Sequence, residues 1–461
     1  MHRRSKRILT GLGIIVVVLA VTYAVLLVRA TAKLRRAYGA LAADGRPIQA
    51  AEIIPPKVPD SENAAVLYQS AVLLLKGQPA GDKSLYERLT DYRLRPKTKA
   101  ELNELLRQET VDKALSLVEQ GTRRPTCQFE HNRGQLSIFS DVSGVDMIRN
   151  LAWIMRARAA FESEAGHPAQ VWDLTLTQLR FADSLRLDPT SATQYTRLGI
   201  AARVCRTIQE LCETTPPDRE QVQALDALLL RQDDIDLLIR GVDGERLLIG
   251  ERFFSLPRDE LDKILRKEMG NPEEGGALPP PLVKTIYRLG FQVIAFKPRL
   301  VTDHAAYLDL MRKRVDLLRG PYRNRKEFDQ FLETSQWNVL AHMLAGGSYG
   351  IYVYREEVAN LRLTRAGLAL LQYKRTRGAF PETLETLGRG EWLDPFTDRP
   401  LHYRPEGEGF VVYSVGEDGK DNDGTPKPER AEATPPSRRK PLAYDRAWRF
   451  PAPKSQAASG N

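Results

Sequence analysis

Residues 145–168 decide the fold of this chain and read VDMIRNLAWIMRARAAFESEAGHP. Their apolar side chains recur three and four positions apart, the spacing that places them on one face of an α-helix. Gly166 and Pro168 favour the end of this helix and the start of another, since glycine often follows a helix and proline often opens one. The stretch therefore predicts two consecutive helices. The apolar face of the first consists of Ile148, Leu151, Ala152, Met155 and Ala159.

The helical pattern continues beyond this pair and sets the fold class. A third helix runs to Thr214 and is stopped by Pro216 and Pro217. Helices of this length with tight connections resemble a tetratricopeptide-like stack, although no repeating signature of that family can be placed on them. A non-repeating helical bundle fits equally well. We therefore predict a mainly α fold, with a multi-helix body on both sides of this unit.

The composition narrows the class of partner. Of 461 residues, 42% are hydrophobic and 28% are charged, which is ordinary for a globular protein. Basic residues number 68 against 59 acidic ones, and the excess lies in residues 2–7 and near the end, around 438–449. Basic ends of this kind are typical of membrane-topology signals and solvated tails. We expect no nucleic-acid partner.

The N-terminal segment predicts a membrane anchor. Ile8 to Val28 contains no charged residue, and twenty-one residues of helix rise about 31 Å, the thickness of the hydrocarbon core of a bilayer. The alternative is a signal peptide cleaved after Ala30-Thr31-Ala32. Basic residues flank the span on both sides, but a single N-terminal span before a large domain usually translocates that domain. We predict a single-pass signal-anchor protein whose bulk is extracytoplasmic, on the periplasmic side.

The C-terminal part predicts a small α+β module. A helix from Glu356 to Arg375 is followed by the Phe380-Pro381 step, a short amphipathic helix and an Asp394-Pro395 turn. Two short strands, Leu401–Tyr403 and Phe410–Tyr413, are joined by a Gly-containing segment, which is the pattern of a β-hairpin.

The order of these motifs resembles the globular end of type II secretion major pseudopilins. The resemblance covers about residues 356–424, and in that family the acidic loop after the last strand holds a structural calcium ion. This chain departs from the family, because the span Ile8 to Val28 lacks an early Glu and some three hundred residues precede the module. The whole arrangement also resembles a broad class of membrane-anchored bacterial proteins that implies no particular activity. The matching positions are Tyr373, Gly378, Phe380, Pro381, Leu384, Asp394, Pro395, Tyr403, Ser414, Gly416, Asp418 and Gly419.

The acidic loop is the predicted metal site. Asp418, Asp421 and Asp423 offer hard oxygen ligands suited to Ca²⁺, and neighbouring glycines free main-chain carbonyls to join them. The loop is not an EF-hand, because Gly419 occupies the first ligand position and no Glu closes it. A solvated acidic turn is the alternative.

No motif predicts a catalytic residue. Residues 346–350 read GGSYG and satisfy the nucleophile-elbow pattern around Ser348, but that site needs a preceding strand and the sequence before it predicts a helix. The six histidines and three cysteines form no zinc motif. Cys205 and Cys212 are expected to be buried, which leaves Cys127 as the more reactive thiol. The acidic cluster Asp233, Asp234 and Asp236 is expected to be a solvated face.

Together these features lead to one expected function and two alternatives. We expect it to be a non-enzymatic interaction or scaffold protein, with protein partners on its helical body and the bilayer at Ile8 to Val28. The alternatives are an accessory role in a secretion or pilus-like apparatus and a hydrolase with an unrecognisable site.

The sequence predicts six segments. They are a leader and transmembrane helix (1–34), a helical body (35–270), a Gly/Pro linker (271–281), a helical segment (282–354), the α+β module (355–424) and a mostly disordered basic tail (425–461), in which 444–451 can dock locally.

Overall fold

The computed structural model describes residues 2–77, 83–95, 98–129, 144–257, 259–261, 263, 296–334, 339–345, 349–388, 392–426 and 444–452. The described chain is mostly helical, with a small three-stranded sheet near its C-terminus. Its longer helices are α1 (His2–Ala43), α2 (Ala64–Lys76), α3 (Leu85–Leu94), α4 (Lys99–Leu106), α5 (Glu109–Thr122), α6 (Val145–Glu164), α7 (Pro168–Ser184), α8 (Ser191–Thr214), α9 (Arg219–Gln232), α10 (Ile235–Glu245), α11 (Glu251–Phe254), α12 (Lys297–Arg319), α13 (Arg325–Thr334), α14 (Val339–Ala345) and α15 (Tyr349–Arg377).

Local sequence signals account for most helix starts. Pro168 opens α7, as predicted. Ser84 and Glu87 form a capping box at the start of α3, and Asp218 and Gln221 form one at the start of α9. One irregularity stands out, because α10 passes into α11 through a π-helical turn, Arg246–Gly250. Such turns are rare and widen the helix by one residue.

Helix α1 is unbroken over 42 residues and has two different environments. From Thr10 it is long and apolar enough to cross a membrane, and none of its most apolar window is buried in the protein. Ala30, Ala37 and Leu41 are buried instead. The second half of α1 therefore belongs to the body.

Helix α12 lies alongside α1 and runs in the same direction. The rings of Tyr23 and Phe296 meet at 5.5 Å at one end. At the other end, Arg312 Nη2 donates to Asp44 Oδ1 at 3.2 Å. Over this length the two helices form one packed pair.

The body contains two hydrophobic clusters. The larger one is built from α7–α15, the second half of α1, the C-terminal sheet and one residue of α6. The smaller one is built mainly from α2–α7 and includes Tyr68, Leu106 and Phe181. Helices α6, α7 and α8 contribute to both clusters, so this unit of three helices connects them.

The sheet confirms the predicted β-hairpin and adds a strand. Strand β1 (His402–Glu406) pairs antiparallel with β2 (Gly409–Ser414), and β2 pairs antiparallel with β3 (Arg446–Phe450). The order β1-β2-β3 makes β1 an edge strand, where Pro405, which has no N–H, is tolerated. The turn between β1 and β2 needs a positive φ at Gly407 (56°), which glycine adopts without strain.

Strand β3 comes from the segment predicted to be mostly disordered. Trp448 and Tyr444 are buried, and Trp448 packs against α15 at Gly367. A β-carbon added at Gly367 would lie 1.9 Å from the Trp448 ring, so only glycine permits this approach. The predicted linker 271–281 and the rest of the tail beyond 452 lie outside the described residues.

Candidate functional site

The acidic loop after β2 is held by contacts within the protein. Asp421 Oδ1 accepts hydrogen bonds from Tyr413 Oη at 3.0 Å and from the Asp423 amide at 2.8 Å. Asp423 pairs with Arg404 at 2.7 Å, and Asp418 accepts from the Lys420 amide at 3.1 Å. The hydrogen bond from the Asp423 amide lowers the pKa of the Asp421 carboxyl group. Each predicted calcium ligand thus has a protein partner.

A fourth carboxylate, Asp445, organises the loop from the inside. It lies just before β3 and is fully buried. It accepts hydrogen bonds from the amides of Asn422, at 3.0 Å, and Gly424, at 2.7 Å. Main-chain N–H groups that converge in this way form a site for an anion, not for a cation. Here the protein's own carboxylate fills it.

These contacts do not assemble the predicted metal site. Among the described residues, no group of three or more His, Cys, Asp or Glu side chains is placed to hold a metal ion. Calcium binding by Asp418, Asp421 and Asp423 stays a prediction, and the loop geometry does not favour it.

The sequence motifs that resemble catalytic sites find no support in the described residues. Helix α14 precedes the GGSYG segment and α15 begins within it, so a helix stands where a nucleophile elbow needs a strand. Ser348 itself lies outside the described residues.

The cysteines are buried and unreactive. Burial raises the pKa of Cys205 and of Cys212 to about 12. The prediction that Cys127 is the reactive thiol was wrong, because its side chain is also buried and its pKa is raised well above the usual range. A thiol must ionise to act as a nucleophile, so none of the three is suited to that role at neutral pH.

The expectation of a solvated face at residues 233–236 was also wrong in part. Asp233 is largely buried and receives two hydrogen bonds from Arg362 on α15, at 2.6 and 3.2 Å. Asp234 caps α10 and Asp236 pairs with Arg319 at 3.0 Å. The cluster ties three helices together.

A cluster of buried polar and charged side chains lies near the C-terminal end of α1. We call it the membrane-proximal network; its members are Tyr38, Arg46, Asp243, Arg246, Glu251 and His304. It joins α1 and the segment after it to the π-helical turn, α11 and α12. Of these residues the sequence singles out only His304, as a lone histidine expected to be structural, because charged residues within helices are usually solvated.

Arg246 is the centre of this network. Its side chain has no exposed surface, and it contacts the carboxylates of Glu251 and Asp243 and the Pro47 carbonyl. Arg46 pairs with the other oxygen of Asp243 at 2.6 Å. Two arginines therefore face two carboxylates, which is the balance that burial of charge requires.

The remaining members reach α1 itself. Tyr38 donates to Glu251 Oε2 at 2.6 Å, and its oxygen lies 3.5 Å from His304 Nε2. His304 also stacks on Phe254, with ring centroids 4.6 Å apart. Burial, together with the nearby positive charge of Arg246, lowers the pKa of His304 to about 4, so its imidazole is neutral at pH 7. The network fixes α1 by directional polar contacts as well as by apolar packing.

The chain matches no protein-family model, no curated protein and no solved structure.

Proposed function

We propose that this protein is a membrane-anchored scaffold that presents a helical interaction body in a fixed orientation on the extracytoplasmic side of the membrane. One observation carries the proposal. The helix that is apolar and exposed enough to cross the bilayer continues without a break into the body, where α12 and the membrane-proximal network hold it.

The buried second half of α1 also bears on processing. Ala30 is buried and Ala30-Thr31-Ala32 lies inside the helix. Cleavage there would have to open a packed helix, which supports a retained anchor over a cleaved signal peptide. The unreactive thiols and the charge-balanced network favour a scaffold over an enzyme. The tetratricopeptide-like arrangement and the pseudopilin-like ending remain predictions within this proposal.

The sidedness can be tested with single cysteines. The three native thiols are buried, so they give little background in a labelling experiment. We expect Ser163→Cys, on the exposed end of α6, to react with a membrane-impermeant maleimide in intact spheroplasts. Ser5→Cys, in the basic leader, should react only after permeabilisation. The opposite pattern would place the body in the cytoplasm and overturn the proposal.

The fixed orientation needs a separate test. A flexible Gly-Ser insert between Arg29 and Ala30 interrupts α1 just before its buried residues, with the Tyr23–Phe296 contact left on the other side of the insert. Energy transfer between a dye at Ser163→Cys and a headgroup dye should report one narrow distance in the parent protein and a broad distribution in the insert. Equal distributions would contradict a rigid attachment. A retained melting temperature in the insert shows that the body is still folded.

A further inference from the structure

A pocket of about 400 Å³ opens where three helices end. The end of α5 and the segment after it form one wall, the end of α7 a second, and the end of α9 a third. Its volume falls in the range of sites for small organic molecules. The pocket is separate from the acidic loop and shares no residue with the membrane-proximal network.

Positive charge dominates the lining. Arg124, Arg180, Arg186 and Arg231 face the pocket, and Asp183 is its one acidic lining residue. Asp183 is already paired with Arg231, at 2.6 Å. The other three guanidinium groups make no ion pair with another described residue, so no carboxylate in the described part of the chain pairs with them.

The free hydrogen-bond donors in this pocket are guanidinium N–H groups. The hydroxyls of Thr122, Thr126 and Ser184 donate to main-chain carbonyls, at 2.7, 2.8 and 2.7 Å. Arg124 uses one terminal nitrogen, Nη1, for the carbonyls of Asp60 and Asn63. The pocket lining therefore offers hydrogen-bond donors, and a ligand that fits it must carry hydrogen-bond acceptors.

Arg186 supplies the second observation. Its Nε is buried and, like the Nε of Arg240 and of Arg355, has no hydrogen-bond partner in the part of the chain that is described; of these three, only Arg186 lines the pocket. Buried polar atoms are nearly always satisfied, so a donor left without an acceptor needs a reason. Arginines near helix C-termini are favoured by the helix dipole, but that long-range attraction does not supply the missing acceptor. Arg180 is exposed and likewise makes no hydrogen bond to a described residue.

We propose that this pocket binds a small organic molecule carrying a phosphate group. Guanidinium groups match phosphate oxygens with paired hydrogen bonds, and three of them without a carboxylate partner among the described residues favour a dianion over a single carboxylate. Leu187, Leu228 and Pro125 supply apolar surface for the organic part. The site is independent of the proposed scaffold role.

Calorimetric titration of the full chain tests the site, in a maltoside detergent and Tris buffer so that no other phosphate or sulfonate is present. The probes are inorganic phosphate and phenyl phosphate, with sodium chloride at equal ionic strength as the blank. We expect saturable binding of both phosphates, tighter for phenyl phosphate. Citrate is titrated in the same way as a carboxylate probe. The proposal would be overturned if neither phosphate bound above the chloride blank, or if citrate bound more tightly than both phosphates.

Matched variants assign the binding to the pocket. Arg180→Gln removes an exposed, unpaired side chain and should leave the fold intact, while weakening phosphate binding about tenfold or more through loss of a charge-assisted contact. Arg186→Gln should do the same, with its melting temperature as the check on folding. Arg219→Gln, at the opposite end of α9, is the control and should bind like the parent protein. Equal weakening by Arg219→Gln would mean that phosphate responds only to overall charge.

Discussion

The buried side chain of Arg246 makes several polar contacts inside the protein. It contacts two carboxylates and a main-chain carbonyl while having no exposed surface. Removing it leaves Asp243 and Glu251 buried with less compensation, and leaving a buried charge unpaired is more costly than losing an exposed ion pair.

We therefore expect Arg246→Ala to lower the free energy of unfolding by about 3–5 kcal/mol. The exposed Arg252, on α11, provides the control, and its replacement by alanine should cost about 1 kcal/mol or less. Denaturant titration of both variants in detergent measures the difference. Similar losses in the two variants would mean that the network adds little to stability.

Asp303 on α12 is a second residue with a measurable effect, through pH. Burial raises the pKa of its carboxyl group to about 6, against the attraction of Arg299 and the hydrogen bond from the Leu340 amide. The folded state therefore binds a proton more tightly than the unfolded chain. The stability that this proton brings is fully present below the ordinary pKa of an aspartate, and it is lost as the pH rises to about 6.

Asp303→Asn should remove this pH dependence because an amide does not titrate, while its oxygen can still accept the hydrogen bond from the Leu340 N–H. Relative to the parent protein, we expect the variant to gain up to about 3 kcal/mol between pH 4 and pH 7. The comparison is made by denaturant titration at each pH, since other carboxylates affect both proteins alike. Parallel pH profiles would show that Asp303 is not the group responsible.

At the scale of elements, the contact between β3 and α15 decides how the C-terminal sheet is attached to the body. Trp448 fills the space above Gly367, which has no side chain to oppose it. A methyl group there must displace the ring or the helix, and overpacking of this kind is destabilising.

Gly367→Ala is thus expected to lower the free energy of unfolding by about 1–3 kcal/mol. The same substitution at Gly39 in α1, where no atom lies within 4 Å of the added β-carbon, should be neutral or stabilising by up to about 1 kcal/mol because alanine favours helix. Thermal melts of the two variants separate packing from helix propensity. A stabilised Gly367→Ala protein would show that β3 is not packed on α15.

The elements that sequence predicts well are those with local signals. The apolar period of residues 145–168 and the Gly-x-Pro step are sufficient to define α6 and the start of α7. Asp233 was misjudged because its partner, Arg362, lies 129 residues away. For the same reason the sequence does not reveal β3 in the basic tail, nor the membrane-proximal network, whose members come from three separate segments of the chain. Arg246 stands between Glu245 and the short apolar run LLIG, so its local sequence gives little sign that it is buried.

For the molecule as a whole, the acidic loop offers a test of what stabilises the native state. Asp445 already fills the centre of the loop, so we expect EDTA or added calcium to leave the melting temperature unchanged. Asp445→Asn should lower it, because the variant loses the negative charge on which the Asn422 and Gly424 N–H groups converge and brings an amide NH2 group next to the Asn422 side-chain amide. The loss expected is about 1–3 kcal/mol. Differential scanning fluorimetry measures both effects.

The opposite result would restore the predicted calcium site. A saturable rise of the melting temperature with calcium, abolished by Asp421→Asn, is what a metal held by Asp418, Asp421 and Asp423 requires. Magnesium at the same concentration controls for ionic strength.

The unbroken course of α1 has a consequence for encounter kinetics. In the proposed scaffold, a body held in one orientation on its anchor would expose the same side to every neighbour that diffuses in the plane of the bilayer. A partner in that membrane then searches two dimensions instead of three and loses little rotational freedom on docking, so weak contacts suffice at the high local concentration of a shared surface. A partner approaching from bulk solution gains none of this advantage.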